Sequence, residues 1–112
     1  MIEFNEKTVW ITGASSGIGK ALALKINSLK ANIVLSSRNK EELENVAKQC
    51  KGEAYILPLD LEKPEAFEKA TQSVVKKYGS IDLLINNGGI SQRSEASQTS
   101  IEVDRKLMEI NY

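Results

Sequence analysis

The residues of this chain best suited to chemistry stand in one short stretch, Thr12-Gly13-Ala14-Ser15-Ser16-Gly17-Ile18-Gly19. The stretch follows an apolar run, Val9-Trp10-Ile11, and opens into apolar positions at Ile18, Leu22, Ile26 and Leu29. That order reads as strand, glycine turn and helix start. Residues without a Cβ let the chain turn tightly, approach a ligand with its backbone and pack the new helix on the strand. Unpaired N–H groups at the helix start, with the positive end of its dipole, then suit a diphosphate. The spacing Gly13, Gly17, Gly19 is neither GxGxxG nor GxxxxGK[ST], because Lys20 has no Ser or Thr after it. Other chemistries are narrowed by composition. The sequence has no His, which excludes His-based metal sites and Ser-His or Cys-His catalysis within these residues. Its one Cys, Cys50, cannot form an internal disulfide and lies on an apolar helical stripe, so it reads as a core residue.

The elements that must hold the glycine turn alternate along the chain. Strands are expected at Thr8 to Ile11, Ile33 to Ser37, Ala54 to Leu59 and Ile81 to Ile85. Helices are expected from residue 17 to about 30, from about Lys40 to Lys51, and from Pro64 to the stop at Gly79. A capping box, Thr99 with Glu102, precedes Val103, Leu107 and Ile110 and predicts a last helix running to the chain end. Such alternation predicts an α/β fold, a Rossmann-type doubly wound parallel sheet with strand order 3-2-1-4 and helices on both faces. The 112 residues make a single domain, residues 1–112. The ligand crevice should open beyond the carboxyl ends of strands 1 and 4, where the glycine turn and Asn86-Asn87-Gly88-Gly89 both fall. The end of strand 2 should meet the adenosine ribose. An acid there would repel a 2′-phosphate, but the position holds Ser37 followed by Arg38. A guanidinium holds phosphate through two parallel hydrogen bonds, so NADP(H) is favoured over NAD(H); a solvated turn residue is the alternative. Lys+Arg and Asp+Glu both number 15, so no charge excess points to nucleic acid or a membrane surface. Met1 to Lys7 holds no apolar run long enough for a signal peptide or membrane helix, and a cytoplasmic location is expected.

The string TGxxxGxG resembles the cofactor loop of the short-chain dehydrogenase/reductase family, and Asn86-Asn87-Gly88-Gly89 resembles its NNAG loop. Gly88 departs from the usual Ala. The resemblance implies that Gly13, Ser15, Ser16, Gly17, Ile18, Gly19, Asn87, Gly88 and Gly89 form the cofactor site. It implies that Asp60 meets the adenine amino group, with the Leu61 backbone beside the ring. For Asp60 the structural alternative is a residue that ends a strand and helps start the next helix. Asn87 would tie the cofactor loop to the sheet, partly through Thr12. Asn111 matches the family's catalytic Asn in the last helix. The implied reaction is hydride transfer between a nicotinamide and a small carbonyl or alcohol substrate. The family's upstream Ser and its YxxxK motif have no match. Tyr55 is followed four residues on by Leu59, Tyr78 by Asp82, and Tyr112 is the last residue. The chain is therefore expected to be an amino-terminal half, truncated before the catalytic half and inactive alone. Its fourth strand would be an open apolar edge, which predicts a homo-oligomer. A non-catalytic dinucleotide-binding module, a sensor or assembly subunit, is the alternative; a nucleotide-sugar epimerase or reductase of related fold fits the loops less well.

Overall fold

The computed structural model describes residues 4–15, 17–60, 62–87 and 108–111. Its element order is β1 (Thr8–Thr12), α1 (Gly17–Ser28), β2 (Asn32–Ser36), α2 (Lys40–Gln49), β3 (Ala54–Ile56), α3 (Pro64–Tyr78), β4 (Leu83–Asn86) and β5 (Met108–Asn111). The strands form one parallel sheet in the order β3-β2-β1-β4-β5. β1 lies at its centre, and all five of its residues are buried. The period of two along β1 divides the core. Val9 and Ile11 join Ile33, Leu35, Leu83 and Ile85 under Ala23 and Ile26 of α1 and Leu43 and Val46 of α2. On the other face Trp10, Val34 and Leu84 pack with Phe67, Ala70 and Val74 of α3. The Trp10 and Phe67 rings stack there with centroids 5.0 Å apart and planes 6° from parallel.

Local chemistry sets the boundaries. Asn39 caps α2, its side chain accepting from the Glu42 N–H, with Glu41 and Glu42 in the first turn to complement the dipole. Pro64 starts α3, and Gly79, at φ 90°, ends it by donating its N–H to the Val75 carbonyl. β3 is shorter than the sequence predicts, and Pro58 beyond its end is tolerated because its nitrogen, between two residues that donate to β2, faces away from that strand. The chain still runs beside β2, since Leu57 and Leu59 donate to the Leu35 and Ser37 carbonyls, each at 2.9 Å. β4 begins at Leu83 rather than Ile81 because the Asp82 side chain accepts from the Thr8 N–H at 2.8 Å.

Two expectations are corrected. Of the four apolar positions of the first helix, Ile26 is buried and Leu22 packs partly against the core, but Ile18 is 53% exposed and Leu29 40%. The inward residues of α1 are Gly19, Ala23, Ile26 and Asn27. The second correction concerns the chain end, where a strand replaces the predicted helix. β5 pairs parallel with β4, Leu83 opposite Met108 through Asn86 opposite Asn111. An extended segment can satisfy the outward backbone groups of β4, which a helix could not. β4 is thus an interior strand, and the open edge that predicted self-association is covered. Thr99, Glu102, Val103 and Leu107 lie outside the described residues. Among the described residues no helix is long and apolar enough to cross a membrane.

Candidate cofactor site

The glycine turn leaves the carboxyl end of β1 and is tied to the strands on both sides. Gly13 and Gly17 take φ of 64° and 59°, the left-handed region in which a side chain is strained. Gly19 is required for a different reason. A Cβ there would lie 2.0 Å from the Gly13 carbonyl oxygen and 2.7 Å from Asn87 Nδ2. The first turn of α1 therefore sits directly against the loop that precedes it. From the β4 side, Asn87 donates its backbone N–H to the Thr12 carbonyl at 3.3 Å and its Nδ2 to the Gly13 carbonyl at 3.1 Å. From the β2 side, the Ser36 carbonyl accepts the Ala14 N–H at 3.1 Å. Beneath the turn, Thr12 Oγ1 lies 3.3 Å from Asn86 Oδ1 and 3.4 Å from the Ile85 carbonyl, and both Thr12 and Asn86 are fully buried.

Among the described residues the space in front of this loop is open. Nothing lies within 4 Å of a Cβ built on Gly17, and the next residue, Ile18, presents an exposed apolar side chain. Ser15 is half-buried on the same turn. A turn with this opening, at a helix start whose first N–H groups have no partner within the helix, and with an apolar neighbour, fits a dinucleotide diphosphate. Arg38 stands two residues beyond the end of β2 and is exposed; among the described residues no carboxylate pairs with it. Its neighbours are fixed, with Ser37 Oγ accepting from the Asn39 N–H at 3.1 Å.

Asp60 is half-buried, and its Oδ1 accepts the Glu62 N–H at 3.0 Å in a turn ahead of α3, whose N-cap is Lys63. Asn111 ends β5 opposite Asn86, at the carboxyl edge of the sheet, rather than in a helix. Ser16, Leu61, Gly88 and Gly89 lie outside the described residues. The structure thus brings Gly13, Gly19 and Asn87 into one contact group, with Gly17 opening the helix two residues before Gly19 and Arg38 two residues beyond the adjoining strand. Sequence reasoning missed the parts of Ala14, Ser36 and Asn86, which hold the turn through bonds that leave no periodic signal.

The remaining reactive groups do not compete for the role. Burial pushes the Cys50 thiol above its ordinary value, away from the reactive thiolate. Tyr78 has a cation nearby, with Lys77 Nζ 5.4 Å from its ring centroid. Burial, then the negative Glu53, then Tyr55 nevertheless raise its phenol, the wrong direction for a proton donor at neutral pH. No cluster of three metal-binding side chains occurs among the described residues.

Comparison with known proteins agrees with this geometry. Dehydrogenase/reductase SDR family member 7 of Homo sapiens is 45% identical over 117 residues, a match covering 98% of this chain and 34% of that protein. An SDR family protein 7-like dehydrogenase/reductase of Anopheles gambiae is 44% identical, across 96% of this chain and 37% of its own length. The chain thus spans about a third of the curated relatives it matches. Among solved structures, a metagenomic short-chain oxidoreductase in complex with NADP superposes with a TM-score of 0.84 at 25% identity, covering 98% of this chain and 63% of the other. A short chain dehydrogenase/reductase from Burkholderia phymatum in complex with NAD gives 0.75 at 29% identity, covering 80% and 33%. The short chain dehydrogenase profile matches residues 7–112. With its sheet order, its glycine turn and this match, the chain belongs to the short chain dehydrogenase family.

Proposed function

We propose that this chain is the NADP(H)-binding half of an oxidoreductase that transfers hydride between the nicotinamide and a small carbonyl or alcohol substrate. The observation that carries the reading is the glycine turn, held from β2 and β4 and, among the described residues, open in front of Gly17, with an exposed Arg38 two residues beyond β2. In this reading Gly13, Ser15, Ser16, Gly17, Ile18 and Gly19 receive the diphosphate, and Arg38 receives the 2′-phosphate through its planar fork. Asp60 and the Leu61 backbone border the adenine. Asn87, Gly88 and Gly89 close the crevice from the β4 side. Asn111 takes part in positioning the reacting groups.

When bound, the nicotinamide supplies or accepts the hydride. The protein's own tasks are to orient the ring, stabilise charge on the substrate oxygen and exchange its proton. None of the three tyrosines heads a YxxxK motif, so proton exchange is assigned to a Ser and a Tyr-Lys pair in a longer polypeptide. The 112 residues are then one cofactor-binding domain, a cytoplasmic location is proposed, and these residues alone bind without turnover. Support for the family chemistry comes from the NADP-bound and NAD-bound neighbours, and the basic side chain of Arg38 beyond β2 supports NADP(H) over NAD(H).

The test is equilibrium titration with NADPH and NADH. A charge-assisted contact is worth about 1.5–3 kcal/mol, so NADPH should bind about 10- to 100-fold more tightly. Arg38→Asp should reverse that order. Equal binding by the wild type, or a preference that Arg38→Asp leaves in place, would sink the assignment.

A further inference from the structure

We infer that Trp10 and Ser36 form a positioning pair that sets the distance between the glycine turn and Arg38, and with it the preference for NADP(H). The inference rests on the cofactor reading above. Trp10 is fully buried at the middle of β1, and its indole Nε1–H donates to Ser36 Oγ at 2.8 Å. Its register partner on β2 is Val34, so the indole reaches two residues further along the same face, to the last residue of that strand. The ring itself is fixed by its stack on Phe67 of α3. A buried indole N–H needs an acceptor, and Ser36, 1% exposed, supplies it.

Ser36 is also where both halves of the cofactor site hang. Its carbonyl accepts the Ala14 N–H inside the glycine turn, and two residues after it the chain presents Arg38. The side chain of Ser36 is therefore held by Trp10 while its main chain holds the turn. A dinucleotide without a 2′-phosphate engages the turn without engaging Arg38 through a phosphate. One with a 2′-phosphate must reach the turn and Arg38 together, so only it reads the distance between them. Loosening Ser36 from Trp10 should weaken NADPH far more than NADH. A role confined to packing would lower stability and weaken both alike.

The experiment titrates the chain and its variants with NADPH and with NADH and compares the ratio of the two dissociation constants. Ser36→Ala and Trp10→Phe, which keeps an aromatic ring on Phe67, should each reduce the NADPH preference about tenfold. Ser36→Thr, which keeps the hydroxyl, should retain it. Combining Trp10→Phe with Ser36→Ala should add little to either, because both remove one bond. Trp10 is the single tryptophan of the sequence, so its emission reports directly whether Ser36→Ala has broken the bond. If Ser36→Ala fails to fold, Trp10→Phe carries the test. A preference within twofold of wild type in Trp10→Phe, with wild-type preference intact, overturns the positioning role alone. A wild type that binds neither dinucleotide, or both equally, overturns the cofactor reading and this inference with it.

Discussion

Substituting Gly19 tests most directly whether the turn and the first helix are built against each other. Alanine there places its Cβ 2.0 Å from the Gly13 carbonyl oxygen, 2.9 Å from the carbonyl carbon and 2.7 Å from Asn87 Nδ2. Ordinary contact between such atoms is about 3.5–4.0 Å, so the Gly13 carbonyl must retreat by roughly 1.5 Å. Backbone does not move that far without opening the turn. Overpacking of this kind costs about 1–3 kcal/mol. Losing the Asn87 to Gly13 hydrogen bond adds about 1–3 kcal/mol, and the better helix propensity of Ala returns at most about 1 kcal/mol. A net loss of about 1–5 kcal/mol lowers the melting temperature of a small domain by about 5–30 °C. Gly17→Ala is the control. Its Cβ meets nothing within 4 Å, so only the left-handed φ of 59° is penalised, at about 1–2 kcal/mol. That Cβ projects into the open space before the loop, and Gly17→Ala should lose more cofactor affinity than stability. Thermal unfolding followed by far-UV circular dichroism, with NADPH titration, checks both. Gly19→Ala melting within about 3 °C of wild type, or below Gly17→Ala in cost, would refute the reasoning.

Two further outcomes follow from other parts of the fold. Cys50 and Tyr78 both hold their protons more tightly when folded than their ordinary values of 9.0 and 10.0. Their contribution is complete below those values and is lost as pH rises through the raised folded values, so urea midpoints should fall above about pH 9; Cys50→Ala should remove the earlier part of that decline, and an unchanged midpoint up to pH 11 would contradict it. In β5, adjacent residues of a parallel strand direct their backbone groups to opposite sides. One of Glu109→Pro and Ile110→Pro should therefore break the ladder to β4 and speed hydrogen exchange there, while the other is tolerated; equal effects from both would mean that β5 does not pair.

Much of the fold was legible because each element carries its own local signal. Alternation of strand and helix patterns, Pro64 at a helix start and Gly79 at its end were enough for the order 3-2-1-4. Misreadings arose where a long-range partner overrides the local pattern. Spacing of apolar residues in α1 pointed to Ile18 and Leu29, yet the Gly19 contact with Gly13 turns a different face inward, and Asn27 is buried by bonding to Gly52 and Glu53. At the chain end, apolar residues at Val103, Leu107 and Ile110 satisfy a helical period. Met108 and Ile110 satisfy a strand period equally well, and a free edge on β4 decides for the strand.

The candidate site shows the same division. Three glycines and Asn87 could be named from spacing and family pattern, because the shape of a glycine turn is a local property of its sequence. What holds that shape is not local. Asn87 reaches Gly13 across 74 positions, Trp10 reaches Ser36 across 26, and Ala14 reaches the Ser36 carbonyl from the neighbouring strand. No periodicity encodes such pairs; they exist only once β2, β1 and β4 lie side by side. The turn is consequently a product of three strands. Substitutions at Ser15 or Ile18, which touch its open side, should alter what it binds, whereas changes at Trp10, Ser36 and Asn87 should alter the turn itself.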